Sequence, residues 1–270
     1  MFDKTKICLV QNTLGPNVYG GLFTQDENTD VVAYVDYAIG NAKKEDQRLK
    51  VAILVEPAVV NSSLYNWIEN NHSLFDLVLT HNKALSEKNE KFKYYPVWPR
   101  IWIPKPDRKI YDKTKKVSAI FSNRNQTIGH KTRHVIAKQF SSLIDLYGKG
   151  YNPIETKTEG ISDYMYHVVV ENEQRGYASE KVNDSFCCGS IPIYWGDDTS
   201  NVLDFYNKDG ILMFETMEEL ENILLNIASE TYYNSKKEAI EENFNKAANL
   251  SLDKIYWDYG IENFLRQRGF

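Results

Sequence analysis

The segment 168–196, VVVENEQRGYASEKVNDSFCCGSIPIYWG, holds the residues of this chain best spaced for chemistry on an anion. An apolar run delivers Glu171 and Asn172 into a polar loop. Ser179 stands where it caps a helix opening at Glu180, Gly189 where that helix ends, and Ile191-Pro192-Ile193 opens the next strand. The start of such a helix offers free amides and the positive end of the aligned peptide dipoles, and Lys181 in the first turn adds a charge. A diphosphate is the ligand that suits it. The plainer alternative is a surface cap, with Ser179 only capping, Glu180 matched to the helix dipole and Lys181 solvated beside it. A second carboxylate, Glu56, closes the apolar run 50–55 (KVAILV) just before Pro57. A proline ends a strand, so Glu56 sits at a strand's carboxyl end, where a base can act or a solvated carboxylate simply rest.

These residues need a scaffold, and the chain alternates strand-like and helix-like patterns along its length. Residues 6–11 read as a strand feeding the Gly/Pro/Asn-rich loop 12–21. Residues 30–44 place Val31, Val35, Ala38, Ile39 and Ala42 at helical spacing. Strands follow at 50–55, 75–80 and 95–98, with helices at 64–69 and 83–88. Residues 99–116, with three prolines and a cluster of charges, have the look of a linker. Beyond it come strands at 117–122, 144–147, 166–171, 191–195 and 211–214, and helices at 132–140, 180–188, 217–228 and 236–250. Strands alternating with helices give a parallel sheet, and two such sets give two Rossmann-like α/β domains. The expected division is 1–108, 117–250 and an aromatic tail, 251–270, that packs across the domain junction. Two such domains facing each other would bind a ligand in the cleft, at the carboxyl ends of the strands.

Composition narrows the function. The chain has 270 residues, 42% of them hydrophobic, enough for two cores. Its net charge of -5 comes from interspersed acids and bases, with no basic stripe to follow a phosphate backbone, so nucleic acid is not an expected partner. With three cysteines, two of them adjacent (Cys187 and Cys188), a disulfide framework is not expected, and the expected compartment is the cytoplasm. No run of eighteen apolar residues occurs, so any membrane contact is peripheral. The 35 aromatic residues (18 Tyr, 12 Phe, 5 Trp) serve either cores or stacking against flat ligands.

Glu171-Asn172, Tyr177, Ser179-Glu180-Lys181 and Pro192-Ile193-Tyr194-Trp195-Gly196 together resemble the donor-binding motif of glycosyltransferase family 10, the α1,3-fucosyltransferases. Val170 stands where that family has phenylalanine, and Ser179 where it has threonine. Upstream, Phe121-Ser122-Asn123-Arg124-Asn125 and Lys131-Thr132-Arg133 resemble the family's strand, asparagine-bearing loop and basic helix start. Arg133 then matches the arginine aimed at the donor diphosphate, with Arg124 a second candidate. LVEP resembles the strand that ends in the family's catalytic glutamate, here Glu56, and Phe75-Asp76 the pair that opens the next strand.

The resemblance implies a GT-B fold whose second domain holds a GDP-sugar, most simply GDP-fucose, and whose first holds a glycan acceptor. It implies inversion at the anomeric carbon, with Glu56 as general base. Arg133 and Lys181 would neutralise the departing diphosphate, and Asn172, Tyr177 and Glu180 would hold ribose, base or sugar hydroxyls. No metal or other cofactor is expected, since no Asp-X-Asp triplet or histidine cluster at ligand spacing occurs and Asp197-Asp198 reads as a turn. The competing expectations are a GT-B transferase of another donor such as a UDP-sugar, and a non-catalytic nucleotide-sugar or glycan-binding module. A dinucleotide-dependent oxidoreductase is disfavoured because no G-X-G-X-X-G follows a strand.

Overall fold

Runs of three to six apolar and β-branched residues form most of the strands, and all the pairings between them are parallel. A computed structural model describes residues 6–11, 22–251 and 262–268 and divides into two units. The first comprises Met1–Tyr95 and Ser251–Phe270, the second Pro96–Leu250.

In the first unit β1 (Ile7–Val10), β2 (Phe23–Thr24), β3 (Val31–Val35), β4 (Leu49–Leu54), β5 (Leu77–Thr80) and β6 (Phe92–Tyr94) form a sheet in the order β2-β1-β3-β4-β5-β6. Helix α1 (Ser62–Asn71) packs Leu64, Tyr65 and Ile68 into the core with Val32, Ala52 and Phe75, and the short α2 (Lys83–Ser86) adds Leu85. The expected helix over 30–44 is instead β3 followed by a 3-10 turn, Asp36–Asn41. Val31, Val32 and Val35 favour a strand, and all five β3 residues are buried between β1 and β4, so a central parallel strand wins over the 3.6-residue spacing. Likewise 95–98 is not a strand: β6 stops at Tyr94, and Pro96 and Pro99 cannot donate to a ladder.

The second unit runs β7 (Lys115–Ile120), α3 (Ile128–Phe140), β8 (Asp145–Tyr147), β9 (Tyr164–Val169), α4 (Glu180–Cys187), β10 (Ile191–Trp195), β11 (Leu212–Phe214), α5 (Met217–Asn222), α6 (Glu230–Ser235) and α7 (Lys237–Ala248). Its sheet order is β11-β10-β9-β7-β8. The helix expected over 217–228 changes at Ile223 into a single π turn, Ile223–Ile227. Val117, Phe121, Val168, Ile193, Trp195 and Phe214 centre the core.

Residues 99–116, expected as a linker, belong to the second unit, because α4 takes up their main-chain groups. Asp184 Oδ1 accepts from Trp102 N–H (2.7 Å) and Ile103 N–H (3.2 Å), and the Asn183 amide donates to the carbonyls of Trp98 and Arg100. Lys113 Nζ donates to the Ser162 and Cys188 carbonyls and to Ser190 Oγ. The units therefore divide at Tyr95 and Pro96, not within 108–117. The tail is grouped with the first unit: α8 (Glu262–Gln267) ends there, and Arg268 pairs with Asp76 at 3.0 Å. Much of what was expected of the tail, and of the loop 12–21, falls outside the described residues.

Candidate active site

In each sheet the strands all run parallel, and the order in which the chain lays them down reverses between β1 and β3 in the first unit and between β7 and β9 in the second. Such a switch point opens a crevice at the carboxyl ends of the two strands. In the second unit that place is supplied by the loop after β7, which carries Arg124 and leads into α3, and by the loop after β9, which carries Glu171 and Asn172 and leads into α4.

The two loops touch through Gly129. Its N–H donates to the Asn172 carbonyl at 3.4 Å, and a Cβ on it would lie 1.7 Å from the Glu171 carbonyl oxygen. Only glycine permits that approach. One turn on, Arg133 lies buried and donates from Nε to the Val170 carbonyl at 3.0 Å and from Nη2 to Asn172 Oδ1 at 3.3 Å. Burial pulls its guanidinium below the ordinary arginine range, and Glu171 and Glu180 pull it back. Arg124 is exposed, with its carbonyl accepting from His134 Nε2. Burial, and then the charges of Arg133, Arg124 and Lys181, push the His130 imidazole down to about 4. All three residues expected to meet the diphosphate, Arg133, Arg124 and Lys181, thus bear on His130.

Glu171 organises the start of α4. It is fully buried, accepts from Ser179 N–H (2.8 Å) and Ser179 Oγ (2.7 Å), and pairs with Lys181 Nζ at 3.0 Å. Ser179 Oγ in turn accepts from Lys181 N–H at 3.4 Å. The helix start was expected to offer free amides to an anion; instead the chain's own carboxylate already takes one of them. Lys181 also pairs with Glu180 at 3.3 Å. Burial works against the Glu180 charge, but Lys181 and Lys157 outweigh it and hold the carboxyl down at about 2. Tyr177 is buried, its carbonyl accepts from Tyr194 OH at 2.8 Å, and its phenol bears on Arg133.

The structure thus brings Arg133, Asn172, Tyr177, Glu180 and Lys181 together, with Arg124 at the edge. Glu56 belongs to the other unit, at the end of β4. Sequence reasoning missed Lys157 and Asp184, which pair at 2.6 Å, Asp184 standing on α4 itself. Asp184 lies one turn past Glu180, a signal that was present; Lys157 opens a one-turn 3-10 segment, Lys157–Gly160, with no periodicity to expose it.

Residues 110–243 match the family model described as glycosyltransferase family 10 (fucosyltransferase) C-term. This stretch is a glycosyltransferase family 10 domain. It contains all six of the second-unit residues named from the sequence. The chain is 38% identical over 71 residues to the alpha-(1,3)-fucosyltransferase FucT of Helicobacter pylori, an alignment covering 22% of this chain and 15% of that one. Among solved structures it resembles the pneumococcal O-GlcNAc transferase GtfA, solved with UDP and GlcNAc (TM-score 0.53, 15% identity, 87% of this chain and 57% of that one). It also resembles TarM (TM-score 0.51, 12% identity, 88% of this chain and 54% of that one). The chain spans little more than half the length of these structures. At such identities the likeness is one of fold, the GT-B type with two parallel-sheet units, the second of which holds the family 10 domain. Among the described residues no three His, Cys, Asp or Glu side chains stand close enough to hold a metal ion, and no helix is long and apolar enough to cross a membrane.

Proposed function

We propose that this chain is an inverting glycosyltransferase that moves fucose or a close relative from a GDP-sugar onto a glycan hydroxyl. The observation that carries this is the cationic group Arg133 and Lys181, with Arg124 beside it, at the switch point of a family 10 domain. As the sugar leaves, the bond from the anomeric carbon to the diphosphate oxygen breaks and its electron pair stays on the diphosphate. Fixed cations in a partly dry site stabilise that charge more than they stabilise the bound donor, which lowers the barrier. Arginine contributes a planar fork and lysine a compact point charge, so the pair takes the part of a metal ion. The acceptor oxygen bonds to the anomeric carbon from the opposite face and gives its proton to Glu56, a single base for a single displacement.

Asn172, Tyr177 and Glu180 are the proposed partners of donor hydroxyls or base. Glu180 is fitted to accept, since Lys181 and Lys157 keep it charged. Three unpaired, buried thiols, Cys8, Cys187 and Cys188, are in keeping with the reducing cytoplasm as the place of work.

The test is stabilisation of the purified chain by GDP, GDP-fucose, UDP and UDP-sugars, each with chelator and with added divalent metal. A donor at a hundredfold its dissociation constant adds about 2.7 kcal/mol. Stabilisation by GDP species in chelator supports the proposal. Stabilisation by UDP species alone, or only with metal, leaves the fold and overturns the chemistry.

A further inference from the structure

Asp36 is the only residue other than glycine among those described with a left-handed backbone, at φ 46°. An aspartate tolerates that conformation at a cost, so something in the structure must hold it there. It follows directly on β3, its side chain is fully buried, and Oδ1 accepts from Val55 N–H at 2.7 Å and Glu56 N–H at 3.2 Å. Those two amides close β4 and carry the glutamate named as base. The other oxygen, Oδ2, is buried with no hydrogen-bond partner. A carboxylate with one oxygen stranded is far more costly than the neutral acid in the same place.

We propose that Asp36 is a positioning residue: its buried carboxyl fixes the main chain that presents Glu56 and, while it keeps its proton, leaves Glu56 the one charged carboxyl of the pair. The inference rests on the reading of Glu56 as general base. Two neighbouring carboxyls do not ionise together readily, and the one in the drier place keeps its proton. Burial pushes Asp36 up to about 7 against the pull of the two amides, and the Glu56 charge adds to the rise. The other polar groups around β4's end are Tyr65, whose hydroxyl donates to the Glu56 carbonyl at 2.9 Å and lies 3.0 Å from His81 Nε2, and Tyr95, whose hydroxyl donates to the Leu54 carbonyl.

The experiment follows the Asp36 carboxyl carbon by NMR from pH 4 to pH 9 in the wild-type chain and in Glu56→Gln, with assignment by its loss in Asp36→Asn. The expected wild-type midpoint is near 7, falling by about half a pH unit or more in Glu56→Gln as the neighbouring charge is removed. In turnover, read as release of GDP from GDP-fucose, Asp36→Ala loses rate at every pH. Asp36→Asn restores it, because the amide oxygen still accepts from Val55 and Glu56, and its pH profile lacks the inflection that the wild type shows near neutrality. A midpoint in the ordinary aspartate range, or one that Glu56→Gln does not move, overturns the inference. Full turnover by Glu56→Gln overturns the base assignment instead, whatever Asp36 does.

Discussion

Lys181 lies between two carboxylates, Glu171 at 3.0 Å and Glu180 at 3.3 Å, and three quarters of its side chain is out of water. The ammonium neutralises protein charge, and under the proposed function a bound diphosphate shares it. Replacing it with methionine therefore has two effects. It strips the buried Glu171 of its counter-charge, and it removes a charged donor worth about 10- to 100-fold in donor affinity. Calorimetric titration with GDP reads the second directly. Glu171→Ala is expected to be worse for folding than for chemistry, since Ser179 N–H, Ser179 Oγ and Lys181 Nζ all lose their acceptor at once. A loss of about 3 to 5 kcal/mol in urea unfolding is expected. Glu56→Gln is the converse case: transfer falls by about 10² to 10⁴ while GDP affinity stays within about twofold, because a base is needed only once the acceptor hydroxyl attacks.

The meeting of α3 with the loop after β9 depends on one absent methyl group. Gly129→Ala pushes a Cβ to within 1.7 Å of the Glu171 carbonyl oxygen, so the helix start and the loop must separate. The expected outcome is a loss of about 1 to 3 kcal/mol in stability and of GDP binding well beyond that, since Arg133 rides on the same helix. If Gly129→Ala binds GDP as the wild type does, the two loops do not form the site together. Elements of this kind were unevenly legible in the sequence. The strand at 191–195 and the helix opening at Glu180 could be read closely, because proline, serine and glycine punctuate them in the expected places. The stretch 30–44 could not, because a fully buried parallel strand carries no alternation and its valines happen to fall at helical spacing too. Nor could 99–116, whose prolines and charges resemble a linker until Asn183 and Asp184, some eighty residues later, supply the missing hydrogen bonds. At the site, the types of Arg133, Glu180 and Lys181 were readable, but that Glu171 takes a helix amide for itself, and that Lys157 pairs with Asp184 of α4, are facts of packing with no local trace.

Across the whole molecule, a buried acid in one unit and two buried histidines in the other answer pH in opposite senses. In the first, Asp36 is raised to about 7 in the folded chain, above an unfolded aspartate, so its contribution is fully present below about pH 4 and is lost as pH rises to 7. In the second, burial pushes His167 down to about 3 and His130, with the nearby cations, to about 4. Their contribution is complete above the unfolded histidine value of about 6.5 and is lost as pH falls below it. His167 Nδ1 lies 2.8 Å from Ser118 Oγ, so the neutral ring is also held by a buried hydroxyl. Calorimetric scans are expected to show the second unit melting earlier as pH drops from 6.5 to 4.5 and the first gaining over the same range. His167→Asn is expected to flatten the first of these trends and Asp36→Asn the second. One more property comes from the path of the chain, which leaves the first unit at Tyr95 and returns to it at Ser251. During synthesis from the N-terminus, the family 10 domain is complete and free to fold while the first unit still lacks its last strip. Arg268 reaches Asp76, whose Oδ2 accepts from Lys50 N–H at the start of β4, only after the whole second unit has been made. The ribosome therefore delivers the whole family 10 domain before the segment that returns to the unit carrying Glu56.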